Sequence, residues 1–168
     1  MTNAAPREAD RVLALDVGDR RIGVAISDPL GLSAQPLETI ERHGNETAVA
    51  RVIEIIGSYG VVEIVVGIPY GSQGQLTQQA QKIERFAKQL AAQAGVPVVR
   101  WDERHTTITA ERVLLEADAR REKRKLVRDK MAAAILLQDY LETRKRRRAD
   151  QGDEEEPRSD RREDEDRE

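Results

Sequence analysis

The sequence predicts one α/β domain built on a mixed five-stranded sheet, antiparallel over its first three strands and parallel thereafter, with helices flanking it. Three observations carry this prediction. Two apolar runs, RVLALDV (11–17) and IGVAIS (22–27), are separated by only four residues, enough for a hairpin turn and too few for a parallel crossover. Two later runs, VVEIVVGI (61–68) and VPVVRW (96–101), each follow a stretch of helical apolar period, which is the pattern of βαβ units. Apolar sequence then stops near Thr143, so residues 11–143 hold what core there is, the size of one domain.

Each element has its own signal. The first strand covers 11–17 and ends close to the carboxylate of Asp16; residues 18–21 form the turn and 22–27 the second strand. A third strand is expected over 35–40, with Pro36 near its start, where a missing donor is tolerated. Asn45 is placed to cap a helix whose Val49, Val52, Ile53 and Ile56 recur at helical spacing, ending near Gly57 or Gly60. After the strand at 61–68, residues 69–75 with Gly71 and Gly74 read as a loop. Thr77 opens a second amphipathic helix with Ile83, Phe86, Ala87, Leu90 and Ala94 on one face, and Gly95 stops it before the strand at 96–101. A helical stretch is expected over about 109–117, then a basic segment, 120–130, leading into a last helix through Tyr140. The resulting order, βββαβαβα, is that of the RNase H-like fold. No internal repeat is visible.

Composition sets limits. The chain has 28 basic and 31 acidic residues, but nine basic and eleven acidic ones fall in 144–168, leaving 28 − 9 = 19 and 31 − 11 = 20 in a near-neutral body. Net charge therefore argues neither for nor against a nucleic-acid partner. The segment 144–168 has almost nothing apolar to bury and is expected to be a disordered tail; residues 1–10 are expected to be a flexible N-terminus. The absence of cysteine excludes disulfides, thiolate metal sites and a cysteine nucleophile. No apolar run approaches the ~18 residues of a membrane span, and the first ten residues lack a secretory apolar core, so a cytoplasmic protein without a membrane partner is expected.

Three places carry carboxylates of interest. Val12, Ala14 and Asp16 share a face of the first strand, so Asp16 continues an apolar face at a strand's C-terminal end, where open α/β sheets build their sites. The alternative is a turn aspartate bonding the amides after Gly18. Asp102 and Glu103 follow the fifth strand in WDERHTT; as neighbours they point to opposite sides, so at most one faces the site, and either is otherwise a solvated partner of Arg104. Asp102 has the further options of orienting Arg104 or capping the turn at Thr106 and Thr107. Asp129 sits near the start of the last helix, and Ala132, Ala133, Leu136 and Tyr140 follow it at helical spacing, which puts it on the core-facing side; dipole complementarity is the simpler alternative. Three such acids at one sheet edge would repel one another unless a hard divalent cation, Mg2+ or Mn2+, neutralised them. Two such ions about 4 Å apart would suit in-line displacement at a phosphodiester.

Between Arg120 and Lys130 seven basic residues (Arg120, Arg121, Lys123, Arg124, Lys125, Arg128 and Lys130) stand against two acids, one of them Asp129. Beside a carboxylate–metal site they suit a polyanion, since lysine and arginine contact phosphates while the acids hold the metal; a solvated loop is the alternative. With 3% aromatic residues, backbone and shape recognition are favoured over base stacking. Arg144 and its basic neighbours to Arg148 are a weaker auxiliary signal, and the acidic segment after them is placed to shield it. His43 and His105 are not at metal-ligand spacing, although His105 lies near the DER.

LALDVGDRRIGVAISD, VVGIPYGSQG, WDERHTT and VRDKMAAAILLQDYL, in this order and spacing, resemble the YqgF/RuvX family over residues 11–143. The resemblance implies an RNase H-like nuclease that either matures the 5′ end of pre-16S ribosomal RNA or resolves Holliday junctions, with catalytic and metal-holding acids at Asp16, Glu103 and Asp129. It gives Asp102 and Arg104 supporting roles. In 67–74, where related nucleases often carry an acid, Gly67, Pro69 and Tyr70 supply none, so Glu103 completes the set. The implied partners are pre-rRNA or branched DNA and ribosomal particles, for a monomer or weak homodimer. Two rival classes start from the same residues. The first strand and hairpin also resemble the phosphate-binding hairpin of actin-like ATPases, which need a second lobe that this chain has no room for. A non-catalytic nucleic-acid or ribosome-binding module would use the same fold with idle acids.

Overall fold

A computed structural model describes residues 10–105 and 123–153. Its strands are β1 (Arg11–Val17), β2 (Arg21–Ser27), β3 (Ala34–Glu41), β4 (Val61–Ile68) and β5 (Val98–Asp102); its helices are α1 (Asn45–Tyr59), α2 (Gln78–Ala94) and α3 (Lys123–Asp153). The sheet order is β3-β2-β1-β4-β5. β1–β2 and β2–β3 are antiparallel, while β1–β4 and β4–β5 are parallel. The hairpin turn closes with the Gly18 N–H donating to the Arg21 carbonyl at 2.8 Å. The expected helix at 109–117 lies outside the described residues.

Alternation along β1 divides the core in two. Leu13, Leu15 and Val17 face α1 and α2 with Ile64, Val66, Phe86 and Leu90; Val12 and Ala14 face α3 with Ala25, Val65, Ala133, Leu136 and Leu137. Helix boundaries follow local chemistry. The Thr77 hydroxyl accepts the Ala80 N–H at 3.1 Å, and left-handed Gly60 and Gly95 stop α1 and α2. Asn45 does not cap α1. It is the first helical residue behind Gly44, and its Oδ1 accepts from the Arg42 guanidinium at 2.7 Å, a charge-assisted bond that outcompetes the backbone amides.

Helix α3 departs from expectation at both ends. Its helical turns are already present at Lys123, so Asp129 falls in the second turn, where the helix dipole has less to offer. At the other end it continues to Asp153, so residues 144–153 are helix and not disordered. Burial arguments missed this because the buried part of α3 has already met the cost of nucleation. Propagation into Arg, Lys and Ala, all good helix formers, then needs no core.

Candidate active site

Asp16 is half-buried at the C-terminal end of β1 and is paired in register with Gly23 of β2. On its other side Leu15 pairs with Val66, so the next residue of β4, Gly67, flanks Asp16 as well. Both neighbours of Asp16 across the sheet are thus glycines, and each makes room for something. A methyl group at Gly23 would overlap the backbone carbonyl of Asp129; one at Gly67 would overlap the Glu103 carboxylate and the Leu136 side chain. The α3 backbone therefore rests on β2 at Asp129, and the Glu103 side chain lies over β4. Thr39 of β3 secures the start of α3 by donating its hydroxyl to the Leu126 carbonyl at 2.6 Å.

These contacts bring Asp16, Glu103 and Asp129 to one end of the α3-bearing face, and they separate Glu103 from Asp102. Ala132, Ala133, Leu136 and Tyr140, which helical spacing sets on the side of Asp129, are all buried, together with Ala134, Leu137 and Leu141. The two glycines escaped sequence reasoning. Their signal was available, because an isolated glycine inside an apolar strand marks a close approach by another chain segment.

Asp102 has a different task. Its carboxylate accepts the Arg104 amide at 3.0 Å and Arg104 Nη2–H at 2.6 Å, with Nε–H reaching both oxygens at 3.1 Å. Held this way, Arg104 lies 5.8 Å from the centre of the Tyr70 ring and donates to the Gly71 carbonyl at 3.5 Å. Its guanidinium pKa is raised, first by the hydrogen bonds to Asp102. The Asp102–Arg104 pair thus ties the loop after β4 to the segment that carries Glu103.

Arg128 and Asp129 line a shallow depression of about 220 Å³ with the β1–β2 turn, including Arg20 and Arg21. Lys130 is half-buried, and Lys123, Arg124 and Lys125 lie on the first turns of α3. Arg120 and Arg121 are outside the described residues, as is the side chain of His105. His43 is exposed beside Glu41, at 3.3 Å, on the edge strand β3.

The acids present hard oxygen donors, the right chemistry for Mg2+ or Mn2+, and the glycine cradles put Asp16 beside Glu103 and Asp129. Among the described residues, however, no three Asp, Glu, His or Cys side chains are gathered into a group that could hold a metal ion. The donors fit the ion in kind and in location, but a closed three-ligand shell is not formed.

The family model described as "RuvX: Holliday junction resolvase" matches residues 10–143. The chain belongs to the RuvX family. Among its relatives is a protein of Symbiobacterium thermophilum named "Putative pre-16S rRNA nuclease", 52% identical over 134 residues, covering 80% of this chain and 93% of that protein. A protein of Thermoanaerobacter pseudethanolicus with the same name is 48% identical over 136 residues, covering 80% and 98%. Among solved structures, RuvC of T. thermophilus in complex with a Holliday junction substrate superposes with a TM-score of 0.51 at 18% identity, covering 81% of this chain and 96% of that one. That likeness establishes the RNase H-like fold for this RuvX-family chain. The family match stops at residue 143, so the last ten helical residues of α3 lie beyond it.

Proposed function

We propose that this RuvX-family protein is a divalent-metal-dependent endonuclease acting on precursor 16S ribosomal RNA at its 5′ end. The observation that carries the reading is the pair of glycines flanking Asp16, one beneath Glu103 and the other beneath Asp129. The close approach of the α3 backbone to β2 and of Leu136 and Glu103 to β4 needs both glycines, and that same approach carries Asp129 and Glu103 to the two sides of Asp16. The names of the relatives support the RNA substrate.

In this reading Asp16, Glu103 and Asp129 would hold Mg2+ or Mn2+, which when bound would supply Lewis-acid stabilisation of phosphoryl charge and a water acidic enough to attack. The chain's own residues do the rest. Arg128, Lys130 and the basic residues 120–125 hold the polynucleotide by its phosphates, which orients the strand without reading its bases. Arg104, positioned by Asp102, keeps the loop after β4 against the Glu103 segment. Attack of water on phosphorus with departure of the 3′ oxygen would leave 5′-phosphate and 3′-hydroxyl ends. Action in the cytoplasm, on ribosomal particles, belongs to the same proposal. Among the described residues no helix is long and apolar enough to cross a membrane.

A second reading, resolution of four-way DNA junctions, is favoured by the family's description. One experiment weighs both against a non-catalytic binding module: cleavage of a precursor 16S leader fragment and of a four-way DNA junction with Mg2+, using wild type and Asp16→Asn. The expected result is cleavage of the RNA, reduced by about two orders of magnitude or more in the variant, with binding retained. Preferential cutting of the junction would select the second reading. Undiminished cleavage by Asp16→Asn would remove the proposed centre.

A further inference from the structure

Helix α3 spans 31 residues, about 46 Å at 1.5 Å per residue. Its basic residues stand at its two ends. Lys123, Arg124, Lys125, Arg128 and Lys130 occupy the first turns, residues 144–148 read RKRRR, and 131–143 contain no lysine or arginine. The two ends are in phase. Arg146 follows Arg128 by eighteen residues and Arg148 follows Lys130 by the same interval, so in a regular helix each pair projects in one direction about 27 Å apart.

The far end is anchored. Arg144 lies 5.7 Å from the centre of the Tyr140 ring and 3.6 Å from Glu63 of β4, which fixes the last buried turn to the sheet. Beyond it, residues 145–150 are exposed. Arg146 and Arg147 also line a cleft of about 600 Å³ that includes Trp101 and Asp102 of β5 and therefore leads back toward the carboxylate end. Asp139 and Glu142 stand on the intervening turns, so a polyanion would touch α3 at its ends and not along its middle.

From this we infer that residues 145–148 form a second contact for a polynucleotide backbone, separated along α3 from the basic residues at its start and outside the part of the chain that matches the family. It rests on the nucleic-acid reading above and adds a footprint to it: a spacing of about 27 Å corresponds to roughly eight base pairs of B-form DNA at about 3.4 Å each, and to about ten of an A-form RNA duplex, whose rise per pair is shorter. Duplexes longer than that would engage both ends of α3, and shorter ones only the end at Asp129.

The test uses the full chain carrying Asp16→Asn, so that binding is read without cleavage. Binding of RNA duplexes of about 6 and about 20 base pairs is titrated over salt, with and without Arg146→Gln, Arg147→Gln and Arg148→Gln together. The expected result is at least a tenfold loss of affinity for the long duplex, with a salt slope shallower by about 2 to 3, and no change for the short one. The three arginines replaced by lysine should keep the wild-type preference for length, since a point charge suffices for a phosphate. Equal loss at both lengths, no loss at either, or a wild type that binds both lengths alike would overturn the inference. The outcome is independent of whether the wild type cuts RNA, junctions or neither.

Discussion

At the scale of single residues, two glycines do what no side chain can. Gly67 admits the Glu103 carboxylate and Leu136 to the same small space beside Asp16. In Gly67→Ala the new methyl must displace one of them, and Leu136, fully buried in the core of that face, has less room to yield. The expected outcome is a fall of about 100-fold or more in turnover with a stability loss of about 1–3 kcal/mol, seen by cleavage assay and thermal melting. Unchanged turnover would separate Glu103 from the chemistry. Asp102 and Arg104 show the complementary case, in which adjacent carboxylates divide the work: one binds the guanidinium that ties down the loop, the other turns over β4.

At the scale of elements, α3 does most to assemble the site. It buries Ala133, Leu136, Leu137 and Tyr140 against the sheet, and its own backbone touches β2 at Gly23. Its middle is pinned by polar contacts as well: the Tyr140 hydroxyl donates to Glu63, and the Trp101 ring meets Tyr140 edge-on with centroids 5.3 Å apart. Burial, reinforced by Glu63, raises the Tyr140 phenol from 10.0 to about 12. A raised phenol pKa means that the folded state holds the proton more tightly than the unfolded chain does. The stabilisation is therefore complete below pH 10 and is lost as pH rises through about 12. Tyr140→Phe should flatten that part of the pH dependence, which denaturant unfolding at several pH values between these limits would reveal. A decline as steep as in the wild type would assign it to other groups.

At the scale of the whole molecule, charge is segregated along one direction. Asp16, Glu103 and Asp129 stand where the C-terminal ends of β1 and β5 meet the first turns of α3, and basic residues flank them and recur toward the far end of the same helix. If that acidic end binds Mg2+ in the folded state only, the ion must stabilise the fold by mass action. At ten times its dissociation constant it contributes about 1.4 kcal/mol. Wild type should therefore melt a few degrees higher as Mg2+ is raised, Asp16→Asn should show little of this, and a chelator should reverse it. A Mg2+ response identical in both proteins would place the ion elsewhere.

Much of this was legible in sequence because it depends on local periodicity. Apolar runs marked the strands, alternation put Asp16 on the face of Val12 and Ala14, and helical spacing put Asp129 on the side of Leu136. Capping and tail order were misread where a competing interaction decided them. Arg42 drew Asn45 away from the α1 amides, and the buried turns of α3 carried helix into a segment with no core of its own. Which of Asp102 and Glu103 turns toward Asp16, and why Gly23 and Gly67 lack side chains, only the tertiary structure decided. These depend on contacts between segments distant in the chain, and a one-dimensional pattern records the residue at such a point but not what it meets there.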